Sequence, residues 1–114
     1  MKNLLLRLLF NMLVIILAGR YLSFVHVDTW QTALVVLIVL TLLNISIKPI
    51  LTILTIPITV ITLGLFLFVI NALMILLTDY LVTGFDVDGF WGALKLGLIL
   101  SIANMLLNAV LKER

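Results

Sequence analysis

The sequence predicts an all-helical membrane protein with four transmembrane helices, arranged as two tandem two-helix repeats around a proline-bounded segment. Of its 114 residues, 65% are hydrophobic and only 11% are charged, whereas a soluble domain carries about 25% charged residues. Four apolar stretches are long enough to cross a hydrocarbon core of about 30 Å as helices. These stretches are about Leu4–Phe24, Trp30–Ile47, Ile58–Tyr80 and Phe90–Leu111.

The chain is predicted to form one transmembrane domain. Its first apolar stretch is predicted to be a retained transmembrane helix and not a cleaved signal peptide. The opening M-K-N-L-L-L-R resembles a signal peptide, but no small-x-small cleavage pattern follows before Arg20. We assign repeat 1 to about residues 1–48, the connection to 49–61 and repeat 2 to about 62–114.

Charge placement predicts the orientation in the membrane. Basic residues lie at both termini and at the central connection, and acidic residues lie near the other two loops. Since cytoplasmic loops of bacterial membrane proteins are enriched in Lys and Arg, we expect both termini in the cytoplasm and the protein in the bacterial cytoplasmic membrane. The basic residues at those positions are Lys2, Arg7, Lys48, Lys112 and Arg114, and the acidic residues near the other loops are Asp28, Asp79, Asp86 and Asp88. Arg20 is an exception near the outer end of the first span, and Lys95 lies about a turn inside the fourth, where its long side chain can extend outward.

An internal repeat supports the division into halves. A shift of about 60 residues places V-D-T-W-Q-T-A-L (27–34) on V-D-G-F-W-G-A-L (87–94), Asn11 on Asn71, and Asn44 on Asn104. Each repeat holds two spans, so both halves enter the membrane with the same orientation. The axis relating them should therefore run along the membrane normal.

The repeat also aligns Arg20 with Asp79, near the predicted outer surface. Two interpretations stay open. The pair forms a salt bridge across the pseudo-axis, or each charge extends separately to nearby headgroups.

Each span carries asparagine on a stripe of small or hydroxyl-bearing residues. Such groups are costly in lipid and normally face protein or water. We favour interhelical hydrogen bonding over a pore lining, because amides without a buried carboxylate or cation make a poor ion pathway. The candidate polar residues are Asn11, Asn44, Lys48, Asn71, Ser101, Asn104 and Asn108.

Two helix-breaking prolines bound the central segment. Pro49 should end the second span, and Pro57 should bend any helix that runs from Ile50. The segment is either a short separate helix at or dipping into the inner interface, which we favour, or part of one long kinked third span. Either arrangement needs hydroxyls to satisfy carbonyls freed by Pro57, which the threonines 52, 55, 59 and 62 can supply.

Composition excludes several classes of function. The chain has no cysteine and one histidine, so thiolate and zinc sites are not expected. A net charge of +2 is too small to indicate nucleic-acid binding. We find no catalytic constellation and predict no enzyme activity, cofactor or metal. The expected partners are the lipid bilayer, further copies of the chain, and a membrane protein that the sequence does not identify.

Several motifs resemble the four-span phage-holin superfamily IV, a group that includes YvlD-like bacterial membrane proteins. These motifs are N-x-x-x-K-P-I-L (44–51), Pro57, T-L-G-L-F (62–66), N-A-L (71–73) and G-F-x-V-x-G-F (84–90). The resemblance implies four spans in a bacterial cytoplasmic membrane and self-association, and it brings no catalytic residues. The predicted function is a holin-like, oligomeric pore or permeability path. The alternative is a non-lytic module: transporter-like, lipid-handling, or a subunit of a membrane complex.

Overall fold

The computed structural model describes the backbone of residues 2–112 and the side chains of residues 4–111. The side chains of Lys2, Lys112 and Arg114, used above to predict orientation, lie outside the described residues. The chain is mostly helical. Its elements in order are α1 (Lys2–Tyr21), β1 (Val25–Val27), α2 (Trp30–Ser46), α3 (Lys48–Leu54), α4 (Ile56–Ile61), α5 (Phe66–Leu81), β2 (Phe85–Val87) and α6 (Gly89–Lys112).

By length and composition, three helical stretches within the described chain can cross a membrane. They are Leu4–Tyr21, Trp30–Leu54 (α2 together with α3) and Gly89–Leu111. The remaining apolar helix, α5, has 16 residues, or about 24 Å at 1.5 Å per residue. The predicted third span, Ile58–Tyr80, is therefore wrong at its start, since the helix begins only at Phe66.

A turn before α5 explains that difference. Leu63 and Gly64 have positive φ angles of 56° and 89°, which no α-helix accommodates. Phe66 N donates to Thr62 Oγ1 (3.1 Å), so the threonine hydroxyl satisfies one of the amides that the start of the new helix leaves without an intrahelical partner. The alternative of one long kinked third span does not occur in the structure.

The two prolines stand in the first turns of α3 and α4, where their missing N–H groups cost no hydrogen bond. Hydroxyls of Thr52, Thr55 and Thr62 donate to carbonyls four residues earlier, at 2.7–3.0 Å. The hydroxyl of Thr59 is buried and has no partner among the described residues. Whether this segment lies at or enters the interface stays a prediction.

The two loops predicted as polar breaks instead form an antiparallel strand pair. Val25 pairs with Val87, His26 with Asp86, and Val27 with Phe85. Both segments alternate apolar and polar residues, which is the pattern of a half-buried strand. Val25 and Phe85 point into the core, at 3% and 1% exposure.

The bonds flanking this pair obey the same shift of about 60 residues as the sequence repeat. Asp28 N donates to Gly84 O, and Asp88 N donates to Phe24 O, both at 2.9 Å. Two copies of one hairpin would make these paired contacts about a two-fold axis through the strands. The gene duplication itself stays a prediction.

Candidate functional site

A cavity of about 330 Å³ lies between α1, α2, α5 and α6, in the half of the bundle away from the strand pair. Six of the seven candidate polar residues line it. The exception is Asn108, which is exposed and does not reach the cavity, because it lies a full turn farther along α6 than Asn104. The polar lining residues are Asn11, Thr41, Asn44, Lys48, Asn71, Ser101 and Asn104.

Asn11 and Asn104 close one side of this cavity by bonding each other. Asn104 Nδ2 donates to Asn11 Oδ1 at 2.7 Å, and Asn11 Nδ2 donates to Asn104 Oδ1 at 3.1 Å. The second hydrogen on each amide goes to the carbonyl four residues earlier, that of Arg7 or Leu100. Both amides are thus satisfied, and this pair joins α1 to α6 as an interhelical contact.

The repeat-related asparagines behave differently. Asn44 and Asn71 line the same cavity, but neither amide has a hydrogen-bond partner among the described residues. Ser101 likewise makes no side-chain hydrogen bond within that part of the chain. Thr41 Oγ1 donates to Leu37 O at 2.7 Å and keeps its lone pairs free. One asparagine pair therefore holds the helices together, and the other leaves its donors and acceptors available to a ligand.

Gly97 gives this cavity its shape on the side of α5 and α6. A Cβ at Gly97 would contact Ile75 Cδ1 at 3.5 Å and Asn71 Cβ at 3.7 Å. The missing side chain lets the two helices approach closely, as small residues do in membrane bundles, and it leaves the Asn71 amide uncovered.

Lys48 is the only charged side chain among the described residues that line the cavity. It is half-buried at the start of α3. No carboxylate of the described chain shares the cavity, so the charge that lines it is the positive charge of Lys48. This arrangement favours an anion over a cation.

The far end of the cavity is closed by apolar packing. Ile15, Leu37 and Ile75 line it and are 1%, 6% and 3% exposed. Beyond them the core continues through Ala33 and Leu96 to the strand pair. The cavity is therefore blind, because it is closed toward the strands. Asn44 and Lys48 also line an adjoining, more open pocket, which places the opening at their end.

The predicted outer ion pair is not formed. Asp79 Oδ2 accepts a hydrogen bond from Val87 N at 3.0 Å, so this carboxylate holds the last residue of β2. The Arg20 guanidinium carbon lies 5.9 Å from the ring centroid of its neighbour Tyr21. Strand pairing, which the sequence analysis missed, gives Asp79 a closer partner than Arg20.

Apolar lining residues such as Leu40 and Leu100 were also missed, because nothing in a leucine-rich helix distinguishes cavity-facing from lipid-facing positions. Within residues 2–112 the structure brings together no group of three His, Cys, Asp or Glu that could hold a metal ion.

Comparison with known proteins supplies family context. The family described as "Mycobacterial 4 TMS phage holin, superfamily IV" matches residues 2–106. The chain is 37% identical over 107 residues to the uncharacterized membrane protein YvlD of Bacillus subtilis (strain 168), covering 93% of this chain and 90% of that protein. It is 50% identical over 86 residues to an uncharacterized protein of Streptomyces coelicolor, covering 72% and 69%. No solved structure matches.

Proposed function

This chain belongs to the phage holin superfamily IV of four-span membrane proteins, and we propose that it is a ligand-binding membrane module. In this proposal a polar cavity, open to the cytoplasm, binds a polar ligand in the inner half of the bilayer. The single observation that carries the proposal is the blind cavity. It is lined by two unpaired amides, that of Asn71 between the chain's own helices and that of Asn44 at the exposed entrance.

The proposal includes four spans in the bacterial cytoplasmic membrane, with α5 as the short third span and both termini in the cytoplasm. Close approach of α5 and α6 at Gly97 supports α5 as a membrane-embedded helix. The two-fold pattern of bonds around the strands supports two duplicated hairpins related by an axis along the membrane normal, with the strands at the outer surface.

Cysteine accessibility tests the cavity directly, because the natural chain contains no cysteine. We expect Asn71→Cys and Ser101→Cys to react with a small charged methanethiosulfonate in inverted membrane vesicles and not in intact cells. The physical reason is that a charged reagent can reach a hydrated blind cavity only through its open end.

Two further variants serve as controls for this experiment. Val36→Cys, at a core position with 1% exposure, should stay unlabelled from both sides. Thr83→Cys, at an exposed position beside the strands, should react in intact cells. Labelling of Asn71→Cys from outside the cell, or from neither side, would contradict the proposed cavity.

A second candidate function is a holin-like pore, which family membership favours. In that case several copies would assemble around a passage lined by the polar stripes. The geometry opposes it in a single chain, because most of the stripe residues line one internal cavity and the core closes the outer end.

Membrane potential separates the two candidates. We expect strong induced expression to leave the potential of the host cell unchanged, since the packed core blocks a continuous aqueous path. A voltage-sensitive dye measures this. Depolarisation that is relieved by Asn71→Leu, but not by Asn108→Leu outside the cavity, would establish the pore instead.

A further inference from the structure

We propose that the ligand of this cavity is the phosphate of an anionic phospholipid from the inner leaflet, bound by Lys48 and the amides of Asn44 and Asn71. This inference rests on the proposed function above and names its ligand class. It draws on the charge of the cavity, its free hydrogen-bond donors and its lateral opening.

The donor set fits a phosphate. Lys48 provides an ammonium group, Asn44 and Asn71 provide amide hydrogens, and Ser101 provides a hydroxyl, all lining one cavity. None of these four side chains donates to another group of the described chain. Phosphate oxygens accept several charge-assisted and neutral hydrogen bonds at once, and no described carboxylate stands in the cavity to repel them.

The lateral opening indicates a lipid as the source of that phosphate. Asn44 and Lys48 also line a second, more open pocket of about 530 Å³, together with Pro49, Thr52 and Ile53. The two pockets adjoin at these shared residues, so a headgroup can enter from the side of the bundle between α2 and α3. A soluble anion would need no such side entrance.

An apolar surface continues from this entrance. On α3, Ile50, Ile53 and Leu54 are 58%, 66% and 71% exposed. Hydrocarbon chains of a bound lipid would run along these side chains and remain in the bilayer. The polar headgroup would then lie in the cavity, where its phosphate reaches Lys48.

The test uses the purified full chain in detergent, titrated separately with dioleoyl phosphatidylglycerol and dioleoyl phosphatidylcholine and analysed by native mass spectrometry. We expect phosphatidylglycerol to bind about tenfold more tightly. Phosphatidylcholine offers the same phosphate, but its quaternary ammonium is repelled by Lys48 and meets no described carboxylate in the cavity. Lys48→Gln should reduce this preference to less than about twofold. Asn71→Leu should weaken binding of phosphatidylglycerol as well.

Matched variants separate a local effect from misfolding. Lys48→Arg keeps the charge and should retain the preference. Lys95→Gln removes an exposed lysine on α6 whose ammonium lies 5.3 Å from the Phe24 ring centroid, at the strand end, and should also retain it. An unchanged preference in Lys48→Gln would overturn the proposal.

Inorganic phosphate distinguishes the two sources of the anion. We expect an excess of it not to displace phosphatidylglycerol. Suppose that phosphate displaces phosphatidylglycerol and also binds directly, and that Lys48→Gln abolishes this direct binding. The ligand of the cavity would then be a soluble anion and not a lipid. If the cavity cysteines are labelled from the cytoplasm but neither phospholipid is preferred, this inference fails and the proposed cavity stands. If the cavity cysteines are not labelled from the cytoplasm, the proposed function itself is contradicted, and this inference with it.

Discussion

Phe85→Ala is expected to lower the free energy of unfolding by about 3–5 kcal/mol, as for other fully buried phenylalanines. Phe85 is 1% exposed and is one of the largest side chains in the core. From β2 it packs into the same cluster as Ile15, Val25 and Ile75. Its removal leaves a void in the apolar packing between the polar cavity and the strand pair. Reversible unfolding in mixed micelles, followed by circular dichroism, measures the loss.

Phe68→Ala is the matched control for that measurement. Phe68 lies on α5 and is 37% exposed, so its truncation removes fewer protein contacts and leaves no enclosed void. We expect a loss of about 1 kcal/mol or less. Equal losses of unfolding free energy for the two variants would show that Phe85 is not part of the tightly packed core between the cavity and the strands.

Gly84→Ala is expected to destabilise the protein by about 2–3 kcal/mol. Gly84 has φ +93°, and a non-glycine residue held in such a conformation costs about 1–3 kcal/mol. Its added Cβ would also lie 2.8 Å from Asp28 Oδ2 and 3.3 Å from Thr32 Oγ1. Gly84 O accepts the Asp28 N–H that flanks the strands, so the backbone is held in place and the Asp28 side chain has to rotate away.

Gly64→Ala separates the two contributions to this loss. Gly64 has a similar φ of +89°, but nothing lies within 4 Å of its added Cβ. We expect Gly84→Ala to cost about 1 kcal/mol more than Gly64→Ala. In an Asp28→Ala background that excess should shrink, since the clashing carboxylate is gone. A persistent excess would assign the cost to the backbone alone.

Much of the candidate site was predictable from residue spacing. Asparagines and small residues at intervals of three and four lie on one helix face, and burying that face is the favourable choice in lipid. The structure accordingly places Asn11, Asn44, Asn71 and Asn104 around one cavity. Spacing also placed Asn108 on that stripe, but it could not show where the cavity ends along α6.

Spacing could not reveal which asparagines bond each other. The repeat makes Asn11 equivalent to Asn71 and Asn44 equivalent to Asn104, so it predicts two similar pairs. Only the Asn11–Asn104 pair has hydrogen bonds between its amides. The pairing depends on how closely separate helices approach each other, which no periodicity encodes. The structure thereby separates interhelical contacts from free ligand-binding groups.

The strand pair is a second feature that residue spacing could not predict. V-H-V and F-D-V are only three residues each, too short to be assigned as strands without their partner. Their pairing joins residues about 60 positions apart, and it redirects Asp79 from Arg20 to the backbone N–H of Val87.

The sequence by itself determined that this chain resides in a membrane, that its helices break near Pro49 and Pro57, and that asparagines share helix faces with small residues. Those properties follow from composition, backbone chemistry and helical period, which are local. The tertiary structure decided that the amides enclose a blind cavity, that one pair is satisfied and one is free, and that Lys48 stands at the open end. These features arise from contacts between distant segments, whose free energies depend on three-dimensional approach rather than on neighbours along the chain.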